Sequence, residues 1–163
     1  MTSENASEYG RLTPMLAALE ALVRCESPTE DVDACRNVVR LASDIATRVL
    51  GTPAEIKEIE GRPVFWWGAQ NPEIVLLAHL DTVWPHGAYQ PLWEVNGDVV
   101  RGPGIFDMKA GFLQALYALK GIEGSVALGL SREDATLLTI QTIVGAADLL
   151  ESSGDSPTTL REK

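Results

Sequence analysis

Apolar positions recur along this chain in two rhythms. Leu12, Met15, Leu16, Leu19, Leu22 and Val23 fall three or four residues apart, the spacing of one buried helix face, and predict a helix over 12–24. Glu26-Ser27-Pro28-Thr29 breaks that rhythm, because proline disfavours helix in the residue before it. Thr29 or Asp31 is then placed to cap a second helix to about Leu50, with Val32, Val38, Val39, Leu41, Ile45 and Val49 inward. Gly51-Thr52-Pro53 stops it. From there the rhythm shortens. Residues 54–60 and 64–68 read as strands around a turn at Gly61-Arg62-Pro63, and 74–80 is a continuous apolar run. Such a run, bounded by turn residues, predicts a strand buried on both faces. Residues 92–101 form a hairpin pattern about Asn96-Gly97, 108–120 is helical, and 125–130 is a further buried strand. The first eleven residues are polar and are expected to fray.

The chemistry concentrates where the 74–80 run ends. His79 and Asp81 stand two apart, so on extended chain both point to one side, at the carboxyl end of a strand. Open α/β sheets place their sites there. An aspartate beside a histidine can accept the proton of one ring nitrogen and leave the other free for a metal. Asp107 lies in the glycine-rich stretch Gly102-Pro103-Gly104-Ile105-Phe106-Asp107-Met108-Lys109-Ala110-Gly111, at the opening of the 108–120 helix.

These two segments, His79-Leu80-Asp81-Thr82-Val83 and 102–111, together resemble the zinc-dependent aminoacylase and glutamate carboxypeptidase family of metallopeptidases. The resemblance runs from about Leu16 to about Leu128 and includes the Glu26-Ser27-Pro28 turn after the first helix. It implies that His79 binds a zinc, that Asp107 bridges two zincs, and that Asp81 serves catalysis by orienting His79. It also implies amide hydrolysis of a small peptide or N-acyl amino acid, with zinc supplying the activated water. The expected fold is accordingly α/β, a fragment of a three-layer sandwich. Its mixed sheet would have the strand ending at His79 in the centre, and a helix from Ser131 would cover one face.

Past the last strand the chain departs from that family. An adjacent Glu-Glu pair is expected there, the first a general base and the second a zinc ligand, but no such dipeptide occurs in the chain. Glu133-Asp134 stands near the place. Read as a degraded pair it would supply a surrogate base. Read with Ser131, it is a capping box opening a helix, which the spacing favours. Residues 126–163 resemble instead the helical dimer-forming domain of pyrroline-5-carboxylate reductase, through Ala127-Leu128-Gly129-Leu130-Ser131-Arg132-Glu133-Asp134-Ala135 and Gln141-Thr142-Ile143-Val144-Gly145-Ala146-Ala147. The expected organisation is therefore 1–128, the truncated front of a zinc-peptidase-like domain, fused to 129–163, a reductase-like helical segment. The zinc site is expected to be incomplete and the chain inactive as a peptidase.

Composition narrows the partners. With 13 basic against 23 acidic residues the net charge is −10, which disfavours nucleic acid and anionic membranes. Two cysteines, Cys25 and Cys35, are too few for a disulfide scaffold. Neither a signal peptide nor a membrane span is legible, so a cytoplasmic protein is expected. Apolar residues surround the 137–150 helix on nearly all sides, which predicts burial and self-association. Gly102-Pro103-Gly104 lacks the third glycine of a dinucleotide loop and does not directly follow an apolar strand, which argues against an oxidoreductase. The alternative to a hydrolase is a non-catalytic helical association module. Of the remaining candidates, His86 reads as an exposed loop histidine rather than a second ligand, and Trp66-Trp67 as core or interface packing. Lys109 reads as either a contact to a substrate carboxylate or a solvated lysine.

Overall fold

A computed structural model describes residues 3–70, 72, 74–121 and 126–130. The chain divides into two units, Met1–Ser131 and Arg132–Lys163, and all described residues belong to the first. Its elements in order are α1 (Ser3–Arg24), α2 (Val32–Leu50), β1 (Glu55–Ile59), β2 (Arg62–Gly68), β3 (Ile74–Ala78), β4 (Glu94–Asn96), β5 (Val99–Arg101), α3 (Ala110–Ala118) and β6 (Val126–Leu130). The architecture is mixed α/β. The helix expected from Ser131 lies outside the described residues.

The two leading helices follow their patterns, with one extension. α1 starts at Ser3 rather than Leu12, so the helix runs on through the polar residues expected to fray. α2 is capped by Asp31, whose Oδ1 accepts from the Ala34 N–H at 2.9 Å. It ends at Gly51, whose φ of 79° lets its N–H reach back to the Thr47 carbonyl.

Four strands form one sheet in the order β1-β2-β6-β3. β1 pairs antiparallel with β2, β2 antiparallel with β6, and β6 parallel with β3. The sheet is mixed, as expected, but for another reason. The hairpin at Asn96-Gly97 stands apart as a two-stranded sheet, β4-β5, and the mixing comes from β6 lying between an antiparallel and a parallel neighbour. The turn also sits one residue later than expected. Asn96 pairs with Val99, so the two-residue loop is Gly97-Asp98, with Gly97 at a φ of 59°. Likewise the β1-β2 turn is Glu60-Gly61, both with positive φ, and Arg62 and Pro63 already belong to β2.

One expectation is corrected. β3 is not the centre of the described sheet but its edge, bonded on one side only, to β6. Accordingly Ile74 is 57% exposed, and only Ala78 at the far end is fully buried. A run of five apolar residues marks a buried strand only where neighbours exist on both sides.

The core lies between the helices and one face of the sheet. Phe65 and Trp67 alternate onto that face, where Leu128 of β6 pairs opposite Trp67. Leu22 and Val23 of α1, Val38 and Ile45 of α2, and Phe112, Leu113 and Leu116 of α3 complete it. Phe65 and Phe112 meet edge-to-face at 5.6 Å between ring centroids, an arrangement aromatic quadrupoles favour. Among the described residues no helix is long and apolar enough to cross a membrane.

Phe65 and Phe112 are both wholly buried, so truncating either removes that contact and leaves a cavity. Phe65→Ala should cost about 3–5 kcal/mol of unfolding free energy by urea titration. Ile56→Ala, at a half-exposed position of β1, should cost less than about 1 kcal/mol, and equal losses would misplace the core.

Candidate functional site

The site is built where β3 runs out. Beyond Ala78 the chain continues through His79, Leu80 and Asp81 to Thr82, which forms a parallel bridge with Pro28. Two backbone bonds make that bridge: the Thr82 N–H donates to Ser27 O at 2.8 Å, and the Thr29 N–H donates to Thr82 O at 3.0 Å. The buried Ser27 hydroxyl adds a third link, donating to Leu80 O at 2.7 Å. Cys35 Sγ donates to Pro28 O at 3.5 Å, and Arg62 Nη1 to Thr29 O at 2.8 Å, so the turn after α1 is held from α2 and β2 as well. Burial raises the thiol pKa of both Cys25 and Cys35, which keeps them as inert apolar groups.

This stitching fixes Asp81. The Thr29 hydroxyl lies 2.6 Å from Asp81 Oδ2 and 3.2 Å from Thr82 O, and its single proton is best placed on the carboxylate. Asp81 Oδ1 then lies 3.2 Å from His79 Nδ1, which is also 3.2 Å from the Asp81 carbonyl. With both carboxylate oxygens engaged and its side chain 12% exposed, Asp81 has no freedom to turn away. The His79 ring is thereby aimed outward, and its Nε2 meets Asp107 Oδ1 at 2.9 Å. Asp107 itself is open to solvent, its side chain 80% exposed. An imidazole between two carboxylates holds its proton strongly. The Asp81 contact raises the His79 pKa, burial opposes this, and Asp107 raises it further, to about 9.

Asp107 is presented by an irregular turn. Asp107 and Met108 have φ/ψ of −124°/90° and −142°/36°, outside the helical range, and the peptide between them is cis. The helix therefore begins at Ala110 rather than at Met108. The turn closes through the Lys109 N–H, which donates to Gly104 O at 2.8 Å. Gly104 has a φ of 71°, and a Cβ there would come within 2.6 Å of Thr82 Cγ2, so only glycine lets the turn lie against the strand end.

Lys109 differs from both sequence readings. It is neither solvated nor free to meet a substrate: it is wholly buried, and its ammonium donates to Leu22 O at 2.8 Å and Cys25 O at 3.1 Å. Those are carbonyls at the end of α1, which intrahelical bonding leaves without partners. Burial lowers its pKa to about 8, partly offset by nearby acidic groups. Nothing in the local spacing marks this lysine as buried, nor Thr29 as a partner of Asp81; both contacts join segments more than fifty residues apart.

The other candidates stand elsewhere. His86 is half exposed, as expected, and its contacts are Asp31 Oδ2 at 3.0 Å and Glu26 Oε2 at 3.8 Å. Trp67 packs against the core, with its indole N–H donating to Thr52 Oγ1 at 2.8 Å, and Trp66 lies under Lys57. Glu133 and Asp134 lie outside the described residues.

A catalytic zinc is ordinarily held by three protein ligands and a structural one by four. Among the described residues no group of three or more histidine, cysteine, aspartate or glutamate side chains is placed to hold a metal ion. His79 and Asp107 fit two positions of such a site, and Asp81 fits the outer role behind the imidazole. They do not by themselves fit a complete catalytic centre.

Comparison with known proteins adds two findings. The chain is similar in fold to a metallo-carboxypeptidase of the M20 family, Sso-CP2 from Sulfolobus solfataricus, with a TM-score of 0.57 at 19% sequence identity. The likeness covers 71% of this chain and 29% of that one, so the chain spans less than a third of that structure. Residues 112–163 match the family model described as pyrroline-5-carboxylate reductase dimerisation. That match starts at Phe112, inside α3, upstream of the start near Val126 suggested by sequence. No curated protein matches the chain.

Replacing Lys109 by methionine keeps its length but strips two buried carbonyls of their donor. The expected loss is about 2–4 kcal/mol of stability by chemical denaturation, with the α1 end loosened in hydrogen exchange. A Lys109→Met variant as stable as the parent would mean that the ammonium does not hold the turn.

Proposed function

We propose that this chain carries the metal-binding corner of an M20-type metallo-carboxypeptidase fold and that the corner alone does not hydrolyse amides. The observation that carries the reading is the alignment of Asp81, His79 and Asp107. One carboxylate sits on Nδ1 and a second, solvent-exposed carboxylate lies 2.9 Å from Nε2. Two donors of that kind and spacing suit a borderline-soft divalent ion such as zinc, and the inner carboxylate fixes which ring nitrogen is offered.

A zinc ion at such a corner would supply a polarised, acidified water. The chain's own residues do three things toward it. His79 and Asp107 offer ligand atoms, Asp81 sets the imidazole orientation, and Thr29 holds Asp81. Binding must release the proton that His79 shares with Asp107, which costs affinity at neutral pH. A carboxylate positioned to take a proton from water has no counterpart among the described residues, so no hydrolytic step is assigned. Small peptides and N-acyl amino acids are the substrate class that the resemblance suggests for a completed site.

A second reading concerns residues 112–163. Their match to a dimerisation family favours self-association of the chain, a role that is compatible with the first and does not need a metal.

Zinc titrated calorimetrically into the metal-free chain should bind one site weakly, and His79→Ala or Asp107→Asn should abolish it. Thr29→Val, which removes one hydrogen bond to Asp81, should weaken it about tenfold or more. No release of amino acid from an N-acetyl amino acid is expected with zinc in excess. Zinc-dependent hydrolysis lost on Glu133→Gln would contradict the incompetent site and make that glutamate its base.

A further inference from the structure

A cavity of about 780 Å³ opens between α1, α2 and the carboxyl end of α3. Its volume falls within the range of small-molecule sites, about 300–1,000 Å³. It belongs to a different part of the unit from the His79 corner. α3 begins beside Asp107 and Lys109, whereas the cavity is lined by Tyr117, Lys120 and Gly121, about 15 Å further along the helical path.

The lining has two chemistries. Ala17 and Ala21, one turn apart on α1, give a shallow apolar wall, and Val49 of α2 extends it. Arg48 and Lys120 also line the space. Both are exposed, and neither has an ion-pair or hydrogen-bond partner among the described residues. In a chain of net charge −10, two exposed cations without an ion-pair partner among the described residues stand beside one cavity. Arg48 lies in the last turn of α2, where a cation complements the helix dipole. That effect does not consume the charge: two helix ends contribute about −0.5 each, against two full positive charges. The Tyr117 phenol is partly buried there, with its pKa raised by burial, and so stays a proton donor.

We propose that this cavity binds an anionic amphiphile, a monocarboxylate on an aliphatic tail. The tail lies along Ala17, Ala21 and Val49, and the carboxylate meets Arg48 and Lys120. The site is independent of metal at His79 and of the reading given to that corner. Charge complementarity selects a carboxylate over a neutral or cationic ligand of equal length. The apolar wall selects a long tail over acetate.

The test is calorimetric titration of the full chain with sodium decanoate below its micelle-forming concentration, with decan-1-ol, decylammonium and acetate as comparison probes. One saturable decanoate site is expected, at least tenfold tighter than for decan-1-ol or decylammonium, with no measurable acetate binding. The double variant Arg48→Gln/Lys120→Gln, altered only at exposed positions, should lose at least tenfold in decanoate affinity. Ala17→Trp, which fills the space from an exposed position, should abolish saturation, and His79→Ala should leave it unchanged. Circular dichroism establishes that each variant is folded, and the double variant carries the test if Ala17→Trp is not. Absence of saturable decanoate binding would overturn the proposal. So would equal affinity for decylammonium, or full affinity in the folded double variant.

Discussion

A single buried ammonium group sets the geometry of the candidate site. Lys109 is wholly enclosed and spends its charge on the carbonyls of Leu22 and Cys25 at the end of α1. Burying a charge without partners costs several kcal/mol, and two carbonyl dipoles at a helix end only partly offset that cost, as its lowered pKa reflects. The arrangement is tolerable because it joins three things at once. The end of α1, the 102–109 turn and the start of α3 all converge on this side chain. Asp107 lies two residues earlier in the same turn, its carboxylate exposed where the Lys109 ammonium is enclosed.

The other half of the site depends on hydrogen bonds rather than charge burial. Ser27 to Thr29 run alongside Leu80 to Thr82 as a short parallel pairing, and Thr29 reaches from that pairing to Asp81. His79 is thus oriented by a residue two positions ahead of it and by another fifty positions behind. The chain is similar in fold to a metallo-carboxypeptidase, but a fold hosts many functions and only the side chains decide among them. Here they bring one imidazole and two carboxylates together, and among the described residues no group of three or more ligating side chains is placed to hold a metal.

Local pattern made the elements and the three acidic and imidazole side chains legible. The 3.6-residue period located both leading helices, and the i, i+2 spacing placed His79 beside Asp81 correctly, because each depends only on neighbours in sequence. What the sequence hid was long-range. β3 reads as a central strand from its five apolar residues, yet its place at the described edge depends on which strands flank it. The hairpin at Asn96-Gly97 was visible, but its one-residue shift and its separation from the main sheet depend on register. Thr29 and Lys109 carried no local signal because their partners lie far along the chain.

His79 Nε2 and Asp107 Oδ1 are proposed to hold one divalent ion jointly. Anomalous diffraction at the zinc absorption edge, from crystals of the chain equilibrated with zinc, tests it most directly. A single peak within bonding distance of both atoms, about 2.0–2.2 Å, with Asp81 still on Nδ1, is the predicted result. A zinc peak at His86 with Asp31 and Glu26 instead, or none at His79, would contradict it.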